Sequence, residues 1–170
     1  TDSFDVTARD ANGHATTQSV SFAVTGSNTA PVFGTWNDPG QLREAGWLEG
    51  GTATATLTLT ATDQDSGGQT LTYSGSGEGW TNNGDGTWTW TGEFGKATLN
   101  SATGKLDYTL DNAKANALGA LDRRYERPTV AVSDGTSQST ATVTFTIRGT
   151  NDAPEVTAGA QSRSVFSNGT

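Results

Sequence analysis

Residues 20–32 read VSFAVTGSNTAPV, and residues 143–156 read VTFTIRGTNDAPEV. Phe22 matches Phe145, Gly26 matches Gly149 and Pro31 matches Pro154, each pair 123 positions apart. Upstream the likeness continues through Asp10-Ala11-Asn12-Gly13 and Asp134-Gly135, with one residue of slack in the loop. A strand followed by a linker, recurring at a fixed interval, is the mark of a repeat array. One period of about 120 residues is large enough to bury its own core. The expected organisation is a preceding repeat's tail over residues 1–28, a complete repeat over 29–150, and a linker with the start of the next repeat over 151–170.

Working outward, alternation of apolar and polar residues recurs at 20–24, 53–61, 71–73, 88–90, 106–110, 130–132 and 141–147. Period two puts one face of each strand in a core and a Thr-rich face toward water. Turn residues separate the strands at 65–68, 82–86, 103–104 and 134–135. Seven or so short strands with little helix predict an antiparallel β-sandwich. One helical turn is expected at 112–118, where Ala, Lys and Leu cluster. Residues 157–170 pattern weakly, as a frayed end or a first strand without its domain. Residues 1–28 supply only two strands, 4–8 and 19–25. A lone hairpin is marginal in water, so it is expected to pack on the main domain, pair with another chain or be poorly ordered.

The chain carries 18 acidic and 10 basic residues, a net charge of −8. That balance excludes nucleic acid and anionic membrane surfaces as partners, since both require basic patches. There is no Cys, so no disulfide framework is available and bound metal is one substitute. No apolar run approaches the ~20 residues of a membrane span.

Carboxylates and amides gather at the expected domain ends. Asp63-Gln64-Asp65 sets two carboxylates in a turn after a strand, where both can converge on a hard cation that takes six to eight oxygen ligands. Asn151-Asp152 lies in the linker before Pro154, whose fixed φ stiffens the junction. Asp134 opens a Gly turn, Glu44 lies near the start of the repeat, and Asp122 precedes a late strand. The plainer reading is that these residues make turns, which Asp and Asn favour by hydrogen-bonding their own backbone.

The run from Gly95 to Asn112, GKATLNSATGKLDYTLDN, resembles the middle of a VCBS repeat. So do Val130-Ala131-Val132-Ser133-Asp134-Gly135 and the closing Gly149-Thr150-Asn151-Asp152-Ala153-Pro154. The likeness spans roughly residues 40–156, with 4–32 as the tail of a previous copy. It implies a cadherin-like sandwich from a large bacterial RTX-type surface adhesin, exported by type I secretion. Such modules extend a ligand-binding tip from the cell in adhesion and biofilm formation. Neighbouring repeats of the same chain are the implied partners, with any glycan or surface ligand met through other domains. Carried over by position from cadherins, Asn28, Asp63, Asp65 and Asp134 would hold Ca2+ at the first junction. Glu44, Asp122, Asn151 and Asp152 would form the half-site facing the next repeat. Two departures weaken the match. Thr29 stands where the second linker has Asp152, and Arg123-Arg124 follow Asp122 where a cadherin places a second acid.

Trp36, Trp47, Trp80, Trp88 and Trp90 fall within 55 residues. Trp88 and Trp90 share a strand face, as a sandwich core requires. Exposed, coplanar rings would instead favour a carbohydrate-binding module, the alternative function. The turn at 82–86 lacks the acids of an EF-hand loop and reads as a hairpin. Glu78 and Glu93 bracket the Trp segment in the manner of a glycosidase pair, yet nothing else supports that enzyme. His14 is the only His and sits in a turn. Without Cys, a Ser–His–Asp context or a phosphate-cradling loop, the expectation is a non-enzyme.

Overall fold

The computed structural model describes residues 1–46, 50–65 and 69–154. Trp47, residues 66–68 of the Asp65 turn and the expected start of a further repeat at 155–170 lie outside the described residues. The fold is nearly all β. Strands β1 (Asp2–Arg9) and β2 (Ala15–Phe22) form a hairpin. The main body follows with β3 (Val32–Phe33), β4 (Gln41–Arg43), β5 (Thr54–Thr58), β6 (Ala61–Thr62) and β7 (Thr72–Ser76). Next come β8 (Trp80–Asn82), β9 (Thr87–Thr91), β10 (Gly95–Asn100), β11 (Lys105–Leu110) and the one-turn helix α1 (Asn112–Ala115). The chain closes with β12 (Arg123–Glu126), β13 (Thr129–Ser133), β14 (Gln138–Thr142) and β15 (Phe145–Arg148).

Strands β5-β11-β10-β9-β8 make a five-stranded antiparallel sheet. Its inward residues line up across the strands in two rows, Leu57–Leu106–Leu99–Trp88 and Ala55–Tyr108–Ala97–Trp90–Trp80. Small and large side chains alternate from Ala55 to Trp90 along the second row, which then ends on two large rings, Trp90 and Trp80. The outward row between them is polar: Thr56, Asp107, Thr98, Thr89 and Thr81. Thr56 donates to Asp107 at 2.6 Å.

Two three-stranded sheets, β12-β15-β4 and β14-β13-β7, supply the rest of the core, and β3 pairs with β6. The β15–β4 pair is parallel. Val130, Val132, Val143, Phe145 and Ile147 join Leu57, Leu99, Leu106 and Tyr108 in one buried cluster. Tyr108 and Phe145 meet ring to ring at 4.6 Å.

Two expected strands are broken where the chain changes sheets. The alternating run 141–147 splits into β14 and β15, and the partner strand breaks opposite, between β12 and β13. Pro128 lies at that break; it has no N–H to continue a ladder, and its carbonyl accepts from Val143 N at 3.0 Å. Similarly, 53–61 splits into β5 and β6, because Gly34 N bonds Thr60 O at 2.7 Å and draws the chain toward β3. The helical turn is shorter than expected. Asp111 caps it through Ala113 N and Lys114 N, and the helix ends at Ala115.

The hairpin over residues 1–28 does not pack on the main domain, the first of the three alternatives expected for it. Its second strand begins at Ala15 and ends at Phe22, because β1 runs out of partners at Asp2. Neither face packs on the main body: Phe4, Val6 and Phe22 are each about half exposed. Phe4 and Phe22 stack at 5.9 Å. In the repeat, Phe22 corresponds to Phe145 and Val20 to Val143, both fully buried.

Candidate functional site

Of the residues expected at the first junction, Asn28 meets Asp134, and Asp65 reaches the same linker at Thr29. Asp134 opens the β13–β14 turn, where its Oδ1 accepts from Thr136 N at 2.6 Å and Ser137 N at 2.7 Å. Its other oxygen accepts from Asn28 Nδ2 at 2.9 Å, across 106 residues of sequence. The same amide donates to Ser137 Oγ at 2.9 Å. Backbone donation from Ser137, then the Asn28 amide, then Thr136 hold the Asp134 carboxyl below its ordinary range; each bond favours the charged form.

Asp65 reaches the same linker, accepting from Thr29 N. Asp63 Oδ1 accepts from Asp65 N at 2.8 Å, which folds the Asp63-Gln64-Asp65 turn. Asp63 Oδ2 is buried and makes no hydrogen bond. A buried carboxylate oxygen without a partner is costly, and a cation would satisfy it.

The second set divides. Glu44 follows β4 and is fully buried. Its Oε2 accepts from Thr150 N at 3.2 Å, while Oε1 has no partner. Thr150 Oγ1 is also buried and unpaired. Burial, and secondarily the charge of Asp152, push the Glu44 carboxyl up; the Thr150 N–H opposes this. Glu44, Thr150 and Asp152 thus stand close at the exit linker. Asn151 is exposed and its amide donates to Asp152 O at 3.3 Å. Asp122 makes other contacts: Oδ2 accepts from Gly119 N at 2.9 Å, and Oδ1 lies 3.7 Å from the Arg124 guanidinium. The Arg noted in sequence therefore engages the acid it follows.

Among the described residues no three His, Asp or Glu side chains are grouped to hold a metal ion by themselves. The donors at both poles are nonetheless all oxygen, the set a hard cation takes, and such ions fill six to eight positions with carbonyls, hydroxyls and water besides carboxylates. The unpaired Asp63 and Glu44 oxygens are what such an ion would satisfy. Ser137 and Thr150 escaped the sequence reading. Thr150 had a signal, since the other linker carries a hydroxyl, Ser27, at the equivalent place. Ser137 had none, because its role depends on how the turn folds.

Trp36, Trp80, Trp88 and Trp90 are half-buried and pack against the core. Trp80 lies on the backbone of Gly75, where a Cβ would sit 2.2 Å from its ring. The segment 82–86 forms the β8–β9 hairpin turn. His14 is exposed and bonds Asp10 at 3.1 Å. No protein-family model matches the chain, and no curated protein matches it.

Proposed function

We propose that the chain is a structural extender module: a cadherin-like β-sandwich repeat, stiffened by Ca2+ where linkers enter and leave. The observation that carries this reading is the entry junction. Asp134 and Asp65, from two distant stretches, bond the linker at Asn28 and Thr29, and Asp63 folds the turn that carries Asp65. The recurrence of that linker after 123 residues supports an array of such modules. Asn28, Asp63, Asp65 and Asp134 would hold an ion at the entry. Glu44 and Asp152, with the Thr150 hydroxyl, would contribute to one at the exit. Bound calcium supplies charge neutralisation and cross-linking of linker to domain; the side chains fix the linker's direction. On the resemblance, the module would belong to a secreted adhesin at a bacterial cell surface, with adjoining repeats as its partners and no catalysis of its own.

The test is thermal unfolding in chelator and in millimolar calcium, repeated on Asp63→Asn/Asp65→Asn. Asn preserves the turn-forming acceptors while removing two charges. A calcium-dependent rise in midpoint that shrinks in the double variant supports the reading. An unchanged midpoint on adding calcium removes the ion from it.

A further inference from the structure

A groove opens where β12 approaches the β9–β10 turn, and no residue of it belongs to either linker set. Its cavity volume is about 400 Å³, within the range of small-ligand sites. The inner wall is rigid. Glu126 is buried, and its two oxygens take Phe94 N at 2.7 Å and the Tyr108 hydroxyl, tying β12 to the neighbouring sheet. Gly79 and Gly92 keep the floor low. A Cβ at Gly79 would lie 2.7 Å from Trp90 Nε1, and one at Gly92 would lie 2.3 Å from Glu126 Oε1.

Around the opening, Tyr125 and Arg127 contact each other, and the other charged groups, Glu78 and Glu93, have no partner among the described residues. Tyr125 is 50% exposed, and the Arg127 guanidinium stands 5.1 Å from its ring centroid. Glu78, Glu93 and Arg127 are exposed and make no hydrogen bond or ion pair among the described residues. The opening thus offers unused acceptors, the unused planar donors of Arg127, and the part of the Tyr125 ring that the guanidinium does not cover. A cationic ligand would use the carboxylates and the Tyr125 ring, but the Arg127 guanidinium already over that ring would repel it and compete for the ring. An anionic ligand would use only Arg127 and be repelled by Glu78 and Glu93. A sugar hydroxyl both donates and accepts, and the C–H face of a pyranose is apolar.

We propose that this groove binds a neutral pyranose residue of a glycan, with Tyr125 as stacking surface, Arg127 as donor and Glu78 and Glu93 as acceptors. This is a binding role beyond the spacer reading and independent of calcium.

Backbone-amide NMR titration with neutral oligosaccharides of glucose, galactose, mannose and N-acetylglucosamine tests it. Sialyllactose and tetramethylammonium serve as charged comparators. The expected result is a saturable shift at Gly79, Gly92 and Glu93 with a neutral sugar. Tyr125→Ala and Arg127→Ala should each weaken it about tenfold or more, and Glu93→Gln, which keeps an acceptor, by no more than about threefold. Tyr125 and Arg127 lie at the surface, and an unchanged unfolding midpoint confirms that the variants fold. No neutral sugar shifting these amides overturns the proposal. So does shifting confined to other residues, preferential binding of either charged comparator, or affinity indifferent to Tyr125→Ala and Arg127→Ala.

Discussion

Replacing Glu44 with Gln separates a structural acid from one held ready for a cation. Glu44 is fully buried, its Oε1 has no partner, and its remaining bond to Thr150 N is 3.2 Å long. A buried, unsatisfied acceptor costs about 1–3 kcal/mol, and the charged form carries that cost. Burial raises the folded-state pKa above the unfolded value, near ~4.3 in an open chain. The favourable contribution is therefore full below about pH 4 and lost as pH rises through the folded value. In chelator at neutral pH, Glu44→Gln should stabilise by about 1–2 kcal/mol, since the amide carries no charge. That corresponds to a rise of roughly 4–8 °C for a body of this size. The advantage should vanish as pH falls toward ~4, where the native carboxyl is protonated. If the exit linker holds calcium as proposed, the ion narrows the difference: at ten times Kd it adds about 1.4 kcal/mol to the native chain by mass action and less to the variant. Differential scanning calorimetry across pH, with chelator and with calcium, reads all three effects. A variant that is less stable in chelator, yet keeps the full calcium response, would refute the reasoning.

Tyr108→Phe leaves the buried Glu126 carboxylate one donor short. Loss of a hydrogen bond to a charged group costs about 1.5–3 kcal/mol, read by urea denaturation. Asn28→Ala should weaken the hold on Asp134, whose carboxyl is depressed first by Ser137 and then by Asn28. Its stabilisation is present above the unfolded pKa and lost as pH falls through the lower folded value, so the variant should show a smaller acid-induced loss of midpoint. Gly104→Ala forces a side chain to φ +68° with its Cβ 2.6 Å from Leu59 O. The expected loss is about 1–3 kcal/mol, measured by chemical denaturation.

Alternation made β5, β7, β9, β11, β13 and β15 legible, because a side chain on a pleated strand can face only two ways, whereas β3, β4, β8, β10 and β12 were not expected. Leu106, Tyr108 and Leu110 could be assigned inward from their spacing, and all three are buried. Where each strand stops was not legible. Residues 141–147 alternate without interruption, and only pairing with two different sheets divides them at Val143.

The site shows the same boundary. Asp63, Asp65 and Asp134 could be singled out as acids beside turns, although turn-making was the plainer reading, and the resemblance added Asn28. Sequence alone established the all-β character, the acidic balance and the linker that recurs. Tertiary structure decided which acids act together, because convergence depends on how distant turns stack, and no local pattern encodes that. It brought Asn28 to Asp134 and Glu44 to Thr150, and it turned Asp122 toward Gly119 and Arg124. The hairpin is the clearest case. Phe22 and Phe145 occupy the same place in the repeat, yet one is half exposed and the other buried. Burial belongs to the partners a residue meets, and the partners come from the fold.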